Sequence, residues 1–363
     1  MKRLVVASFL VLAVVLTLDL TLPREALAII MPISGIDFSL WILLILGFGV
    51  GVMGGFYGLG GAWLITPGLN IFGFPMVFAI GTDMAHIAGK SIVSTFRHAR
   101  FGNVDWGLGL AMLIGTVAGI EIASRFVMYL ERIGFVGGVV RWTYVGLLAF
   151  ITALIYYDIW KKKRLERRGE LKDTEAAITW AKSLQRIHIP PMCHFKTAGI
   201  RCSLWLPALV GFFTGIAAGF LGIGGGILRM PALIYLVGCP THVAVGTDLF
   251  EVMISGAYGA FTYTAKGRCE LMAAMIMLMG AAVGAQIGTV ATKYVKGYAI
   301  RMIFGVGTTC ALVSIVLKQL KLPTPAGILI LVAIVCITSL IIILMVRGAV
   351  KEIRAKKASA KGG

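Results

Sequence analysis

The stretch GFYGLGGAWLITP at residues 55–67 has a second copy, GFLGIGGGILRMP, at residues 219–231. Another matching pair follows, GFPMVFAIGTD at 73–83 and GCPTHVAVGTD at 238–248. The first pair agrees at seven of thirteen positions and the second at six of eleven, at offsets of 164 and 165 residues. Because the motifs keep their order, the chain contains an internal duplication. In an apolar chain, a duplicated segment interrupted by glycine indicates broken helices from two repeats that meet near the bilayer midplane, as in secondary transporters.

The composition places the chain in a membrane. Hydrophobic residues make up 58% of the sequence and charged residues 14%, and the mean hydropathy is +0.91. A span of the hydrocarbon core needs roughly 20 apolar residues in a helix, and backbone groups there must be satisfied within a helix or a closed barrel. The apolar runs are too long and too unbroken for barrel strands. We therefore predict an all-α polytopic protein of the cell membrane, with the lipid bilayer as its partner.

The formal charge of +18 is explained by membrane topology. Lysines and arginines concentrate in a central stretch, 161–201, and in the tail after residue 347. Basic connecting segments are typical of the cytoplasmic side, where they contact anionic lipid headgroups. We therefore expect no nucleic-acid partner.

Hydropathy divides the chain into two repeats with additions at each end. The predicted apolar segments are 38–56, 61–78, 83–99, 106–126 and 134–157, then 204–223, 227–238, 242–265, 270–292, 299–319 and 326–346. The predicted parts are a signal peptide or first transmembrane helix at 1–30, repeat 1 at 38–157, a basic cytoplasmic loop at 158–203, repeat 2 at 204–319, a last transmembrane helix at 320–346, and a basic cytoplasmic tail at 347–363.

The number of spans per repeat decides how the copies are oriented. Five spans per repeat make the copies inverted, which is the arrangement we favour. The basic turn at 266–268 opposes it, because this turn would then lie outside. If segments 61–78 and 227–238 enter the membrane without crossing, each repeat has four spans and the copies run parallel. A homo-oligomer is compatible with either arrangement.

The glycine blocks are candidates for contact with an anion. Glycine permits positive φ and close approach, so a helix broken there exposes backbone N–H groups that favour negative charge. The alternative is that the small residues only allow close helix packing. The predicted substrate-binding glycines are Gly58, Gly60, Gly61, Gly222, Gly224, Gly225 and Gly226.

The second motif adds a threonine and an acid in each copy, Thr82 and Asp83, then Thr247 and Asp248. Both residue types are favoured at helix N-caps. We expect the carboxylates to cap the helices that begin there and the threonine hydroxyls to contact substrate. Coupling of the two acids to protons is the alternative.

Ionisable residues within predicted spans are costly and indicate a functional site. His86 aligns with Glu251, and Lys90 aligns with a serine. Arg229 follows the second glycine block and offers a forked donor set for an oxyanion. We expect Lys90 and Arg229 to contact substrate, and His86 and Glu251 to serve structure or proton coupling. Ion pairing of Arg229 with Asp248 or Glu251 is the alternative.

Other classes of function find little support. The sequence has no HExxH, GxSxG or CxxC motif, so we predict neither an enzyme nor a cofactor. The stretch HIPPMCH at 188–194 matches no standard zinc spacing, and we predict no metal site. A sulfur relay through Cys239 is one alternative, but the first copy has Phe74 at that position.

The motifs together resemble the TauE/SafE sulfite-exporter family over roughly residues 38–346. The carriers are the glycine block ending in proline, the P-x-x-x-A-x-G-T-D block, and the turns Gly102-Asn103-Val104-Asp105 and Gly267-Arg268-Cys269-Glu270. The resemblance implies a permease for small sulfur-containing or organic anions such as sulfite, thiosulfate or sulfonates. It implies export, with proton-coupled uptake as the alternative. The chain departs from the pattern at Ala62 and Trp63 and in its long basic loop.

Overall fold

The computed structural model describes residues 28–57, 62–168, 189–292, 294–295 and 297–359. The predicted signal peptide or first helix and the first-copy glycines Gly58, Gly60 and Gly61 lie outside the described residues. The described part contains eleven α-helices and two short β-hairpins, and about 80% of the protein is helical. The prediction of an all-α polytopic fold is confirmed.

The helices follow the predicted apolar segments closely. In chain order they are α1 (Leu40–Tyr57), α2 (Ile65–Ile71, preceded by a 3₁₀ turn at Ala62–Leu64), α3 (Met76–Arg100), α4 (Trp106–Arg132), α5 (Val136–Arg168), α6 (Trp205–Leu221), α7 (Gly226–Ala232, continued by a π-helical turn at Leu233–Val237), α8 (Thr241–Ala265), α9 (Leu271–Ala291), α10 (Gly297–Gln319) and α11 (Pro323–Ser359).

Six described helices are long and apolar enough to cross a bilayer: α1, α4, α5, α9, α10 and α11. Helices α3 and α8 have 25 residues each but fall outside this set. Buried polar and ionisable side chains lower their hydropathy, which is the pattern expected of helices that carry a site inside a bundle.

Two pairs of parallel helices repeat the same close packing. Gly51 of α1 lies against Ala281 of α9, where an added Cβ would approach the Ala281 Cα to 2.6 Å. Gly215 of α6 lies against Thr116 of α4, where an added Cβ would approach the Thr116 Cα to 2.7 Å. Each pair lets two backbones meet without an intervening side chain, as in small-residue membrane interfaces. Residues 51 and 215 are 164 apart, which is the offset of the glycine blocks.

Helices α3 and α8, which carry the two copies of the second motif, pack antiparallel. Gly81 near the start of α3 contacts Tyr263 near the end of α8, and Ala88 contacts Gly256 further along. Ile87 and Val252 form a buried pair between them. The two motif copies therefore lie on helices that run in opposite directions.

Two β-hairpins, unforeseen in the sequence, precede α1 and α6. Hairpin 1 pairs β1 (Ala28–Ile30) with β2 (Asp37–Ser39), and hairpin 2 pairs β3 (Met192–Phe195) with β4 (Ile200–Ser203). Hairpin 2 and the extension of α5 to Arg168 occupy much of the stretch assigned to one basic loop at 158–203. The hairpins occupy equivalent places in the two copies, so each copy starts about ten residues earlier than the apolar pattern indicated.

The hairpins lie at opposite ends of α3. In hairpin 1 the turn amides of Ile33 and Ser34 donate to the Glu270 carboxylate, and the Glu270 N–H donates to Thr82, near the start of α3. In hairpin 2 the turn contacts Asp105, just beyond the end of α3. The two ends of the bundle are thus built in the same way.

The start of α3 corrects one sequence prediction. The helix begins at Met76 after Gly73, whose φ is +114°, and Pro75, whose φ is −58°. Thr82 and Asp83 therefore lie inside α3 and do not cap it, and Asp248 likewise lies inside α8, which begins after Pro240. The glycine and proline stop the preceding helix earlier than the Gly-Thr-Asp motif suggested.

Candidate functional site

Two clusters of buried polar side chains face the crossing of α3 and α8, and we call them half-sites. Half-site 1 consists of Thr66, Asp83, His86 and Lys90, and half-site 2 consists of Arg229, Asp248, Glu251 and Ser255. All eight side chains are buried, with relative exposures of 5% or less. The sequence predicted six of these residues; Thr66 and Ser255 were not assigned a role.

In half-site 1 the Asp83 carboxylate holds the start of a neighbouring helix. Its Oδ2 accepts hydrogen bonds from the Thr66 backbone N–H at 3.1 Å and from the Thr66 hydroxyl at 2.8 Å. Thr66 is the second residue of α2, where N–H groups lack partners within the helix. Asp83 thus stabilises a helix start, as expected of its residue type, but the helix is α2.

The other two members of half-site 1 follow Asp83 along one face of α3. The His86 Nδ1 lies 3.7 Å from Asp83 Oδ1, and Lys90 lies one helical turn beyond His86. Both ring nitrogens of His86 have no hydrogen-bond partner among the described residues. A buried imidazole without a partner is costly, so this ring is available to a ligand, a water or a proton.

In half-site 2 a single guanidinium serves two carboxylates. Arg229 Nη1 lies 3.2 Å from Asp248 Oδ1 and forms a shorter ion pair with Glu251 Oε2. The same side chain donates from Nε to the Thr214 hydroxyl at 3.2 Å and from Nη1 to the Gly224 carbonyl at 3.2 Å. The alternative of ion pairing is therefore what the structure contains, although Arg229 Nη2 has no partner in the described part of the chain.

The second glycine block lies at the crossing itself. Gly222, Gly224 and Gly225 all have left-handed φ, of +76°, +64° and +77°, which separates α6 from α7 as the block predicted. An added Cβ on Gly224 would lie 3.2 Å from Ile87 and 3.3 Å from Val252. Gly226 begins α7. The broken helix therefore places backbone between the two half-sites.

The formal charges of the cluster do not balance. The half-sites contain the cations Lys90 and Arg229 and three carboxylates, with His86 as the one further titratable group. With His86 neutral, the cluster carries one excess negative charge. An isolated excess charge in a dry interior is very costly, so the cluster requires either a bound proton or a cationic neighbour.

Thr82 and Thr247 occupy equivalent positions away from the half-sites. The Thr82 hydroxyl accepts from the Glu270 N–H at 3.0 Å, and the Thr247 hydroxyl accepts from the Asp105 N–H at 3.0 Å. Each threonine therefore anchors the start of a helix from the other copy, α9 or α4.

Asp105 and Glu270 are important residues to which sequence reasoning gave no role. Asp105 Oδ2 accepts from the turn amides of Thr197 and Ala198, each at 2.9 Å, while Glu270 binds the turn of hairpin 1. A detectable signal existed, because Gly35 and Gly199 are also 164 residues apart and both have positive φ.

The basic turn that opposed an inverted arrangement is largely neutralised. Arg268 Nε lies 2.8 Å from Glu131 Oε1, and Lys266 donates to the Ser124 hydroxyl at 2.7 Å. A paired arginine is a weaker topological signal than a free one, since its charge is compensated.

The thiol of Cys239 lies in a buried environment. Its side chain is 3% exposed, and burial, with a smaller contribution from Asp105, raises the pKa of Cys239 to about 12. The thiol is therefore protonated at neutral pH and is a poor nucleophile. Among the described residues there is also no group of three or more potential metal ligands.

The fold and site define a class: a polytopic helical membrane protein with an ionisable cluster buried where two broken-helix motifs cross. The sequence pattern of the family described as "Sulfite exporter TauE/SafE" matches residues 43–317. The chain belongs to this family of membrane transporters.

Individual relatives agree with the family assignment. The "Probable membrane transporter protein YunE" of Bacillus subtilis (strain 168) is 25% identical over 276 residues, covering 73% of this chain and 93% of the relative. A "Probable membrane transporter protein" of Xylella fastidiosa (strain 9a5c) is 29% identical over 255 residues, covering 69% and 82%. No solved structure gives a significant match.

Proposed function

We propose that this protein is a secondary permease that exports small sulfur-containing or organic anions, such as sulfite, thiosulfate or sulfonates, across the cell membrane. The observation that carries the proposal is the pair of buried half-sites at the antiparallel crossing of α3 and α8, beside a broken helix. Ionisable groups inside a membrane bundle mark ion and substrate pathways. Broken helices at the interface of two repeats mark the substrate site of many transporters.

The chemistry of the half-sites suits an oxyanion. Arginine presents several N–H donors in a planar fork that matches the oxygens of an anion. Arg229 Nη2 is buried and has no partner among the described residues, so it is the donor an anion would meet first. Lys90 adds a second positive charge from the opposite half-site, and the amides of Gly222–Gly226 border the space between them.

The buried state of the cluster represents an occluded conformation. Because α3 and α8 run in opposite directions, we infer inverted repeats, in which rocking of one repeat against the other opens the same site first to one side and then to the other. The glycines with positive φ at 222, 224 and 225 supply the hinge between α6 and α7.

Export agrees with the electrical gradient. Moving one negative charge out of a cell with a negative interior gains about 2.3 kcal/mol per 100 mV. A permease that carries a bare monoanion or dianion therefore needs no co-ion to export it.

Proton-coupled uptake is the second candidate, and the Arg229 ion pairs favour it. An anion that engages Arg229 fully must displace Asp248 or Glu251, and the displaced carboxylate would be left buried and unpaired. Protonation of that carboxylate removes the penalty. Anion and proton would then bind together, and an inward proton gradient would drive uptake.

A sulfur relay finds less support, because the Cys239 thiol is protonated and has no cysteine at the equivalent position of the first copy. We likewise propose no catalytic reaction. The transporter names of the relatives fit this view.

Flux measurements test the proposal. The purified protein in proteoliposomes would be loaded with sulfite, and efflux followed under an imposed membrane potential, with empty liposomes as the control. We expect potential-dependent efflux that thiosulfate and a sulfonate compete and a neutral sulfone does not. A flux driven only by an imposed pH gradient would favour the proton-coupled alternative. Absence of flux for every sulfur anion and carboxylate tested would contradict the proposal.

A further inference from the structure

Two cysteines of hairpin 2 lie directly opposite each other. In the antiparallel register, Cys193 of β3 pairs with Cys202 of β4. Opposed residues in such a pair have Cα atoms about 4.5 to 5.5 Å apart, and their side chains lie on the same face. A disulfide requires a Cα separation of about 4.4 to 6.8 Å, so the backbone already meets this condition.

The equivalent pair in the first copy shows that the hairpin fold does not require thiols. Offset by 164 residues, Ile29 and Phe38 are paired in the register of hairpin 1. They form an ordinary apolar cross-strand contact. The two thiols of hairpin 2 are therefore a feature of this copy alone, and packing does not account for both being cysteine.

We propose that Cys193 and Cys202 form a dithiol that is converted reversibly to a disulfide by exchange with a small-molecule disulfide. This inference does not depend on the transported substrate. Both cysteines are free thiols in the structure. Hairpin 2 follows the basic stretch after α5, and on the cytoplasmic side a disulfide is expected to be transient and regulatory.

The environments of the two thiols set the order of the exchange. Cys193 is partly exposed, whereas Cys202 is 1% exposed and burial raises its pKa to about 11. The Cys193 thiolate therefore attacks the small disulfide first, forming a mixed disulfide and releasing one small thiol. The Cys202 thiolate then attacks the Cys193 sulfur and releases the second small thiol, so two electrons pass from the protein to the small disulfide.

The position of the pair gives the modification a route to the transport machinery. Two residues after Cys193, the strand enters the turn whose amides bind Asp105. The Asp105 N–H in turn donates to Thr247, the neighbour of Asp248 in half-site 2. A cross-link between the strands fixes the hairpin that holds this connection.

Peptide mapping tests the proposal on the wild-type protein. The purified full chain would be incubated with glutathione disulfide, free thiols blocked, and the digest analysed by mass spectrometry. We expect a peptide containing a Cys193–Cys202 disulfide, a loss of two free thiols, and complete reversal by dithiothreitol. The matched control is Cys239→Ser, which removes a buried thiol of the same apolar cluster and should leave the cross-link unchanged.

Two variants complete the test. Cys193→Ser and Cys202→Ser should each abolish the cross-link while leaving the thermal unfolding midpoint close to that of wild type. Persistence of both free thiols after prolonged oxidation would overturn the proposal. A cross-link that joins either cysteine to Cys239, or to another chain, would overturn it as well.

Discussion

Arg229 and Glu251 form an ion pair in which neither side chain is exposed to solvent. Asp248 approaches the same guanidinium at 3.2 Å, so the second copy of the motif carries one cation and two acids. The first copy places Ile65 and His86 at the positions of Arg229 and Glu251. The duplicated scaffold thus supports two different half-sites, and their difference in charge is the basis of the predictions below.

The stability of half-site 2 should depend on which charge is removed. Glu251→Gln leaves Arg229 paired with Asp248, and we expect a loss below about 1 kcal/mol. Arg229→Met leaves two carboxylates buried without a cation, and we expect a loss of about 3–5 kcal/mol. Thermal unfolding in detergent measures both. Equal destabilisation by the two substitutions would contradict the charge count.

Glu251 should also determine the response to pH. If Glu251 accepts the proton that accompanies the anion, Glu251→Gln should abolish transport driven by a pH gradient while preserving exchange of labelled for unlabelled sulfite. The measurement is counterflow and gradient-driven uptake in the same vesicles, with Glu121→Gln, a partly exposed acid, as the control. Gradient-driven uptake that survives Glu251→Gln would exclude this residue as the proton carrier.

Thr82 and Thr247 should matter for stability more than for affinity. Thr82→Val removes the acceptor of the Glu270 N–H and leaves a buried donor unpaired, which costs about 1–3 kcal/mol. Thr82→Ser keeps the oxygen and should restore most of the loss. Unfolding midpoints and KM values separate the roles. A large rise in KM without destabilisation would show that the hydroxyl contacts substrate, as the sequence predicted.

Close helix packing should be intolerant of a methyl group at Gly51. Because an added Cβ would lie 2.6 Å from the Ala281 Cα, Gly51→Ala should cost about 1–3 kcal/mol through overpacking. Gly146 of α5 has no atom within 4 Å of an added Cβ. Gly146→Ala is therefore the matched control, and it should be neutral or stabilising by up to about 1 kcal/mol. Equal tolerance of both alanines would argue against the observed contact between α1 and α9.

Much of the fold could be predicted because membrane burial imposes a simple rule on the sequence. Long apolar runs identified helices such as α4 and α9 to within a few residues. The start of α3 was missed, because the polar Gly-Thr-Asp motif looks like a helix start, whereas Gly73 and Pro75 end the preceding segment earlier. Hairpins 1 and 2 were missed because strands of three or four residues have too little periodicity to be recognised.

The candidate site was predictable in composition but not in connection. The ionisable residues of α3 and α8 stood out against apolar surroundings, and duplication brought Arg229 into the same group. Nothing in the sequence indicated that Asp83 would hold Thr66 of another helix, or that Asp105 and Glu270 would bind hairpin turns. Such contacts depend on how segments cross in three dimensions, and a single sequence does not record this.

The most direct test of the account is sulfite flux through Arg229→Lys in proteoliposomes, compared with Arg125→Lys, which changes an exposed arginine in the same way. Lysine keeps the positive charge that the carboxylates need but lacks the fork that fits an oxyanion. We expect KM for sulfite to rise about tenfold or more, the effect of losing roughly 1.4 kcal/mol of binding, with normal flux in the Arg125 variant. Unchanged KM in Arg229→Lys would show that the anion does not bind at half-site 2.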